Sequence, residues 1–370
     1  MLTNETPVAN DSGPDMEQAV RERYSAASKA RESALCCAVT YDRKYLEVLP
    51  PEIAERDYGC GDPTQHVRPG EYVLDLGSGS GKICYIASQI VGPQGRVTGI
   101  DMNDDMLELA RKFRREVGDR IGWHNVDFRK GRIQDLAFDL EKFDTHLRDH
   151  PVHTAADWLE MQRMTDELRQ RSPMIAPQSI DVVLSNCVLN LVTLEDRECL
   201  FQELFRVLRP GGRVVISDIV SNKEIPAHLQ SDPRLWSGCI SGAFVEQDFI
   251  EAFERAGFYG VEILNRQHEP WTTVNDIEFR SVTLRAFKPK SNSGQDLHHQ
   301  VIYRGPWKRV FDETGTTLER GRSTSVSNQQ FARYTAEPYS HDILAEADRG
   351  GLLPMAKSLN ASCCEPEKKS

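Results

Sequence analysis

The sequence predicts a doubly wound α/β fold, in which a mostly parallel sheet carries helices on both faces. Two observations carry this prediction. Short apolar runs alternate with segments of helical periodicity, and a glycine-rich loop follows the first of these runs. Such alternation is typical of βαβ units and therefore of a parallel sheet. Because the 370 residues exceed the usual size of one domain, further units are expected.

The first two strands and helices are predicted with clear boundaries. An apolar run at 72–76 leads into the glycine-rich loop, and apolar residues at helical spacing follow until Gly92-Pro93. A second strand is predicted at 96–101. Asn103 then caps a second helix.

Three further strands complete the predicted sheet, at 126–128, 180–184 and 214–218. Thr193-Leu194-Glu195-Asp196 resembles a capping box and predicts the start of the helix before the last of them. Arg209-Pro210-Gly211-Gly212 predicts the end of that helix.

The chain divides by composition into four segments. Residues 1–65 are predicted to form an N-terminal cap segment, and residues 66–218 the sheet domain, with an inserted helical excursion at about 139–178. Residues 219–290 are rich in helix and include closing strands at 261–264 and 279–287. Residues 291–370 are predicted to hold a linker, a small C-terminal unit and a flexible tail, with the linker composition beginning at Lys288.

Composition excludes several classes of protein. Lys and Arg total 45 against 56 Asp and Glu, so the formal net charge of −11 argues against a nucleic-acid or anionic-membrane partner. No apolar run approaches the roughly 18 residues of a membrane span, and the start lacks the pattern of a signal peptide. We therefore predict a cytoplasmic monomer. Its nine cysteines are too few, and odd in number, for a secreted disulfide scaffold.

The loop at 75–81 has the context of a ligand site, since it lies between a strand and a helix. Glycines allow close approach of the backbone, and a helix start offers unpaired N–H groups. Lys82 stands where a dinucleotide fingerprint has its third glycine, which argues against a nicotinamide cofactor. Asp101 ends the second strand, where a carboxylate can take both hydroxyls of a ribose or help to cap the next helix. Both readings stay open.

In combination these motifs resemble the S-adenosylmethionine-dependent methyltransferases of class I, which have a Rossmann-like doubly wound sheet. The resemblance implies that the loop lines the methionine end of the cofactor, that Asp101 holds the ribose and that Met102 covers the adenine. Gly131, Arg132 and Ile133 would flank the ring. Gln134 stands where relatives often have an acid, so a contact to the adenine amino group would be made by an amide or not at all.

Three cysteines have surroundings that suit a ligand site. Cys187 directly follows the fourth strand, at the edge of the sheet where doubly wound folds bind ligands. Cys60 and Cys239 have small neighbours. A thiolate is a poor general base near neutral pH but a good ligand for a soft centre, and three thiolates would form a trigonal pyramid. Cys84 and Cys199 fall within helical patterns and are assigned to packing; for the Cys363-Cys364 pair, a disordered tail and a metalloid-binding role both stay open.

These features resemble the arsenite S-adenosylmethionine methyltransferase family. The resemblance rests on residues 55–63, 75–81, 185–191 and 235–239, with a looser match at 303–307 and 320–321. It implies an arsenic-binding segment at 219–290 and arsenic bound by Cys60, Cys187 and Cys239. The first catalytic cysteine of the family falls on Cys36 or Cys37. The cofactor-binding residues that it implies are Tyr58, Asp75, Gly77, Ser78, Gly79, Ser80, Gly81, Asp101, Met102, Gly131, Arg132, Ile133 and Asn186.

The resemblance also implies a mechanism and partners. Arsenite or its glutathione conjugate would be held by thiolates, and the arsenic lone pair would attack the methyl group without a general base. A Cys37/Cys60 pair would reduce the pentavalent product and leave a disulfide for thioredoxin or glutathione to clear. Two alternatives stay open: a methyltransferase for an organic small molecule with structural cysteines, and a thiol-based metalloid-binding protein without turnover. The C-terminal unit departs from relatives at 325–329, where they often have a cysteine.

Overall fold

The computed structural model describes residues 15–32, 39–56, 58–290 and 299–346. The chain divides into two compact units, Met1–Lys290 and Ser291–Ser370. Across the parts of the chain that the structure describes, no helix is long and apolar enough to cross a bilayer. The finer division into four segments stays a prediction.

The first unit contains a nine-stranded sheet and the helices that cover it. Its strands are β1 (Tyr72–Leu76), β2 (Arg96–Asp101), β3 (Val126–Lys130), β4 (Ile180–Asn186), β5 (Leu208–Ser221), β6 (Phe244–Val245), β7 (Tyr259–Arg266), β8 (Thr272–Val274) and β9 (Ile277–Phe287). Its helices are α1 (Met16–Lys29), α2 (Arg43–Leu46), α3 (Pro51–Glu55), α4 (Lys82–Val91), α5 (Asp104–Lys112), α6 (Arg114–Ile121), α7 (Leu140–Asp149), α8 (Ala155–Arg171), α9 (Arg197–Val207), α10 (Ala227–Gln230), α11 (Pro233–Ser237) and α12 (Glu246–Arg255). Short 3₁₀ turns lie at Pro63–His66, Leu189–Leu191 and Leu194–Asp196.

The strand order confirms the predicted doubly wound fold. The main path of the sheet is β3-β2-β1-β4-β5-β9-β7, with β6 beside β5 and β8 beside β9. Strands β1 to β5 are parallel, and β9 pairs antiparallel with β5 and β7. The order reverses between β1 and β4, which is where open α/β sheets bind their ligands.

The central strands are mostly apolar because both faces of the sheet are covered. Leu74 and Leu76 of β1 pack in one buried cluster, whereas Val73 packs in a second cluster on the opposite face. Val183 and Val182 of β4 divide between the same two clusters. Helices α4 and α5 contribute to the second cluster, and α9 and α12 to the first. This burial explains the continuous apolar runs of the sequence.

Three boundaries differ from the sequence prediction. Thr193 makes no cap, and α9 begins at Arg197, because Asp196 instead accepts hydrogen bonds from Arg132 and Gln134. Strand β5 begins at Leu208 rather than at 214, since Leu208 already pairs with β4 ahead of a bulge. Lys288 is not in a linker. It is buried, and its Nζ donates to the carbonyls of Phe205 and Leu208 at 2.6 and 2.8 Å.

The insertion at 139–178 is helical, as predicted. It consists of α7 and α8, neither of which buries a residue, and α8 begins with a capping box at Thr154. The chain returns to the sheet through Met174 and Ile175, whose N–H groups donate to Ala137 and Leu136.

The second unit is a small α+β fold with its own core. Its elements are β10 (His299–Tyr303), β11 (Arg309–Phe311), β12 (Thr317–Glu319), β13 (Ser323–Val326), α13 (Asn328–Tyr334) and β14 (Ile343–Glu346), with a 3₁₀ turn at Tyr339–His341. The strands form a β13-β10-β14 sheet and a β11-β12 hairpin. Ser327 forms a capping box with Gln330 at the start of α13.

Gly81 at the start of α4 has a packing role that a side chain would disturb. Its φ is +87°, and a Cβ would lie 2.6 Å from Cζ of Phe128. Gly122 has a similar φ of +91° but has nothing within 4 Å of the same position. We expect Gly81→Ala to lower the free energy of unfolding by about 2–4 kcal/mol, because overpacking adds to backbone strain. Gly122→Ala should cost only about 1–2 kcal/mol. Urea unfolding of both variants tests this, and equal losses would contradict the packing argument.

Candidate functional site

A cleft opens at the carboxyl ends of β1, β2 and β4, with an empty volume of about 1100 Å³ including its mouth. Parallel pairing aligns the ends of these strands. Leu76 lies opposite both Ile100 and Ser185, so the loops after the three strands meet at one edge of the sheet. The predicted glycine loop forms the floor of the cleft.

The glycine loop is held in place by Asp101. The N–H of Gly79 donates to Oδ2 of Asp101 at 2.8 Å, and the N–H of Asn103 donates to Oδ1 at 2.8 Å. Burial raises the pKa of the Asp101 carboxyl, although these hydrogen bonds favour the charged form. A carboxylate has about four acceptor sites, so Asp101 can still accept from a ligand hydroxyl. Asn103 itself caps α5, as predicted, through a bond from the Met106 N–H.

Ser78 is the clearest sign of a ligand site in this cleft. Its Oγ is buried and has no hydrogen-bond partner among the described residues, and the residue lines the cleft. Buried hydroxyls are normally hydrogen-bonded, and a polar group of a ligand would satisfy this one. The loop glycines give such a ligand access to the backbone: Gly77 and Gly79 have φ of +64° and +50°, and a Cβ on Gly79 would meet nothing within 4 Å.

Most of the predicted cofactor residues lie in this cleft. Those that line it are Tyr58, Asp75, Gly77, Ser78, Gly79, Ser80, Asp101, Met102, Gly131, Ile133 and Asn186, together with Cys187 and Gln134. Two predicted residues do not line it. Gly81 packs against Phe128, and Arg132 forms ion pairs with Glu17 at 2.9 Å and Asp196 at 3.5 Å.

One wall of the cleft comes from helix α1, whose role the sequence analysis missed. Glu17, Val20, Arg21 and Tyr24 line the cleft. Asp15 caps the helix by accepting from the Gln18 N–H, so an Asp-x-x-Gln pattern before a run of helix-forming residues was the available signal.

Contacts along α1 hold it over the cleft. The Asn103 amide donates to the Arg21 carbonyl at 3.0 Å, and the Tyr58 hydroxyl donates to the Ala27 carbonyl at 2.9 Å. Arg23 donates to the Arg234 carbonyl in α11 at 3.0 Å. The helix therefore connects the glycine-loop side of the cleft to the segment that leads to Cys239.

Cys60 and Cys187 form a disulfide in this structure, with their Cα atoms 6.0 Å apart. This distance lies in the ordinary range for a disulfide. In this structure the partner of Cys60 is Cys187. The expected Cys37/Cys60 pairing stays a prediction. Cys36, Cys37, Cys363 and Cys364 lie outside the described residues.

Asn186 brings the Cys60 loop to Cys187. Its Oδ1 accepts from the N–H groups of Cys60 and Gly61 at 2.8 and 3.1 Å. Its Nδ2 donates to the Gly61 carbonyl at 2.7 Å and to the Tyr41 hydroxyl at 3.2 Å. The polar atoms expected to contact a cofactor are thus committed to the protein, although the side chain lines the cleft.

Cys239 remains a thiol and lies beside Cys187. Its Sγ donates to the Cys187 carbonyl at 3.2 Å, and the Tyr24 hydroxyl lies 4.0 Å from the same sulfur. Both Cys187 and Cys239 have φ of +60°, a left-handed conformation that non-glycine residues rarely adopt. Strain of this kind concentrates at functional sites.

The three predicted arsenic ligands thus share one buried cluster, in which two of the sulfurs form a disulfide and the third is a thiol. Cys60, Cys187 and Cys239 belong to the same apolar cluster, with Ile219 and Phe279. Two of the sulfurs are joined in a disulfide, and the structure shows no group of three metal-ligating side chains within its described ranges. The trigonal arrangement requires the disulfide to be reduced.

Asp218 in β5 supports the turn that follows Cys187, although its sequence pattern did not single it out. Its carboxylate accepts from the Leu189 N–H at 2.9 Å and from the Asn190 amide at 2.8 Å. The side chain is fully buried. Burial raises its pKa to about 7, although these hydrogen bonds and the nearby Arg197 favour the charged form.

The two cysteines assigned to packing differ from each other. Cys84 is buried in α4, and its thiol donates to Asp75 Oδ2 at 3.1 Å below the glycine loop. Burial and the adjacent carboxylate raise the pKa of this thiol. Cys199 is exposed on α9, so its assignment to packing was wrong.

Comparison with known families and sequences gives a consistent result. A family model described as a methyltransferase domain matches residues 68–166 and 159–257. A second model, described as a domain of unknown function (DUF8838), matches residues 290–369. The arsenite methyltransferase of Aquipseudomonas alcaligenes is 31% identical over 78% of this chain and 78% of its own length. The human arsenite methyltransferase is 30% identical over 82% of this chain and 74% of its own.

A solved structure extends the likeness to the fold. The structure is that of CrArsM, an arsenic (III) S-adenosylmethionine methyltransferase from Chlamydomonas reinhardtii. It superposes with a TM-score of 0.57 and 26% identity, covering 87% of this chain and 98% of the other.

The raised pKa of Asp218 predicts a pH dependence of stability. Between about pH 4 and pH 7 the folded protein keeps the Asp218 proton, whereas the unfolded chain releases it. Stability should therefore fall as the pH rises through this window, by up to about 1.4 kcal/mol per pH unit from this group. Asp218→Asn should lack this contribution. Urea unfolding of both proteins at four pH values between 4.5 and 7.5 measures the difference, and parallel curves would contradict the assignment.

Proposed function

We propose, from the premise that the chain belongs to the arsenite methyltransferase family, that Cys60, Cys187 and Cys239 hold trivalent arsenic beside the cofactor cleft. Family membership makes the protein an S-adenosylmethionine-dependent enzyme that methylates arsenite. The roles of the individual residues are the proposal. The observation that carries it is the meeting of all three cysteines in one buried cluster, with Cys187 also lining the cleft.

The cleft fits S-adenosylmethionine by its own chemistry. When bound, this cofactor supplies an electrophilic methyl group. The hydroxyl of Ser78 is buried there without a partner, and Asp101 offers a carboxylate to ribose hydroxyls. The glycine loop would face the methionine end, and Met102, Gly131 and Ile133 would surround the adenine. Gln134 also lines the cleft, so its amide is available to the adenine amino group.

The acceptor chemistry needs positioning rather than proton transfer. Arsenic bound to thiolates keeps its lone pair and carries no proton, so no general base is required. Cys187 and Cys239 are fixed in strained backbone conformations, and Asp218 fixes the turn after Cys187. Rigid placement of the nucleophile supplies rate by holding the reacting centres in line.

The disulfide gives this proposal its redox step. Reduction of a pentavalent arsenical to the trivalent state takes two electrons, which two thiolates supply as they form one disulfide. The Cys60–Cys187 pair is the disulfide that supports this role. Two equivalents of glutathione, or a dithiol of the thioredoxin class, would return both thiols. A cytoplasmic monomer that takes arsenite or its glutathione conjugate is part of the same proposal.

The test is methyl transfer from labelled S-adenosylmethionine to arsenite in the presence of glutathione, with the products separated by methylation number. We expect Cys187→Ser to lower the rate at least about 100-fold, because an arsenic ligand is lost, while cofactor binding stays intact. Cofactor affinity is measured by calorimetry on the same preparation.

Cys199→Ser is the matched control, since this exposed thiol lies outside the site. It should keep the rate of the parent protein. Full arsenite methylation by Cys187→Ser would refute the proposed ligand. Arsenite binding without any label transfer would favour a metalloid-binding protein, and transfer to an organic acceptor without arsenite dependence would favour the other alternative.

A further inference from the structure

Asn186, the residue before Cys187, is hydrogen-bonded to Cys60, the disulfide partner of Cys187. Asn186 ends β4, and its amide makes four hydrogen bonds, of which three go to the backbone of Cys60 and Gly61. A carboxamide has two donor hydrogens and two acceptor lone pairs, so this one is fully used. The side chain thus ties the two halves of the disulfide together independently of the S–S bond.

The glycines beside Cys60 fit this contact. A Cβ on Gly59 would collide with Nδ2 of Asn186, and one on Gly61 would collide with Oγ of Ser217. The Ser281 hydroxyl donates to the Cys60 carbonyl at 2.6 Å from the other side. The Cys60 loop is therefore pressed closely against the ends of β4 and β5 and against β9.

Tyr41 extends the support for the amide. Its hydroxyl accepts from Asn186 Nδ2 and donates to the Gly61 carbonyl at 3.2 Å. Its ring lies 4.0 Å from the Nζ of Lys82. Because the amide and the hydroxyl share the Gly61 carbonyl, removing either one should loosen the same loop.

We propose that Asn186 is a positioning residue that holds Cys60 opposite Cys187 and so governs how readily the two sulfurs form their disulfide. The biological role of this disulfide rests on the proposed function, whereas its formation and reduction do not. In exchange with glutathione disulfide, the two thiols give two protons and two electrons, and the oxidant becomes two glutathione thiols. The equilibrium constant of this exchange is the effective concentration of one cysteine at the other.

The experiment measures that equilibrium for the full chain in glutathione buffers, without arsenic or cofactor. The Cys60–Cys187 pair is quantified by thiol trapping and peptide mass spectrometry. Asn186→Leu removes all four hydrogen bonds at similar volume. We expect the effective concentration to fall at least about tenfold, which corresponds to a midpoint potential about 30 mV less negative.

Tyr41→Phe is the milder variant and keeps the ring near Lys82. It should lower the effective concentration about threefold, and it decides the matter if Asn186→Leu does not fold. Asn125→Leu is the matched control, because the Asn125 amide also bonds backbone carbonyls, those of Gly92 and Gly95, in a turn that contains no cysteine. It should reduce stability and leave the midpoint unchanged.

Two outcomes would contradict the proposed role of Asn186. If Asn186→Leu and Tyr41→Phe both keep the effective concentration of the parent, Asn186 does not position Cys60. A loss of S-adenosylmethionine affinity with an unchanged thiol equilibrium would likewise overturn the proposal and assign the amide to the cofactor. Because the readout contains no arsenic, failure of arsenite methylation in the parent leaves this result standing.

Discussion

Parallel hydrogen bonding between β1, β2, β4 and β5 is the constraint on which the site depends. Register fixes Leu76 opposite Ile100 and Ser185, and Asn186 opposite Ser217. The glycine loop, Asp101, Cys187 and Asp218 must then emerge at one edge. The ladder sets the spacing of these residues, and side-chain contacts such as those of Asp101 with Gly79 and Asp218 with Leu189 then fix the loops. The cleft is a consequence of strand ends rather than of loop folding.

The parts of the site that do not come from the sheet are attached to it by polar contacts. Helix α1 reaches the glycine-loop side through Glu17 and Arg132, and the thiol side through Tyr24 and Cys239. Burial raises the pKa of the Tyr24 hydroxyl, with a further contribution from Cys239, so this residue stays neutral beside the sulfur. One helix therefore bridges the cofactor half and the acceptor half of a single pocket.

Local signals predicted the sheet and the glycine loop well, because strand character and glycine spacing depend on near neighbours in sequence. The rest depended on distant contacts. Asp196 accepts a hydrogen bond from Arg132, more than 60 residues away, instead of capping the helix as predicted. Lys288 resembled a linker residue because its two carbonyl partners come close only in the folded chain. Motifs identified Cys60 and Cys187, but their pairing depends on a contact between residues more than 120 positions apart, which no local pattern reveals. Helix α1 was missed because few of its residues are apolar, and Ala27 packs against Tyr58 and Met106, which lie far along the chain.

The left-handed backbone at Cys187 and Cys239 has an evolutionary consequence. Glycine adopts this conformation without penalty, whereas any other residue there costs about 1–2 kcal/mol. Glycine would relieve this strain, but it would also remove a buried sulfur and, at position 187, the disulfide to Cys60. Lineages no longer exposed to the metalloid would lose the chemical reason for carrying backbone strain at these two positions.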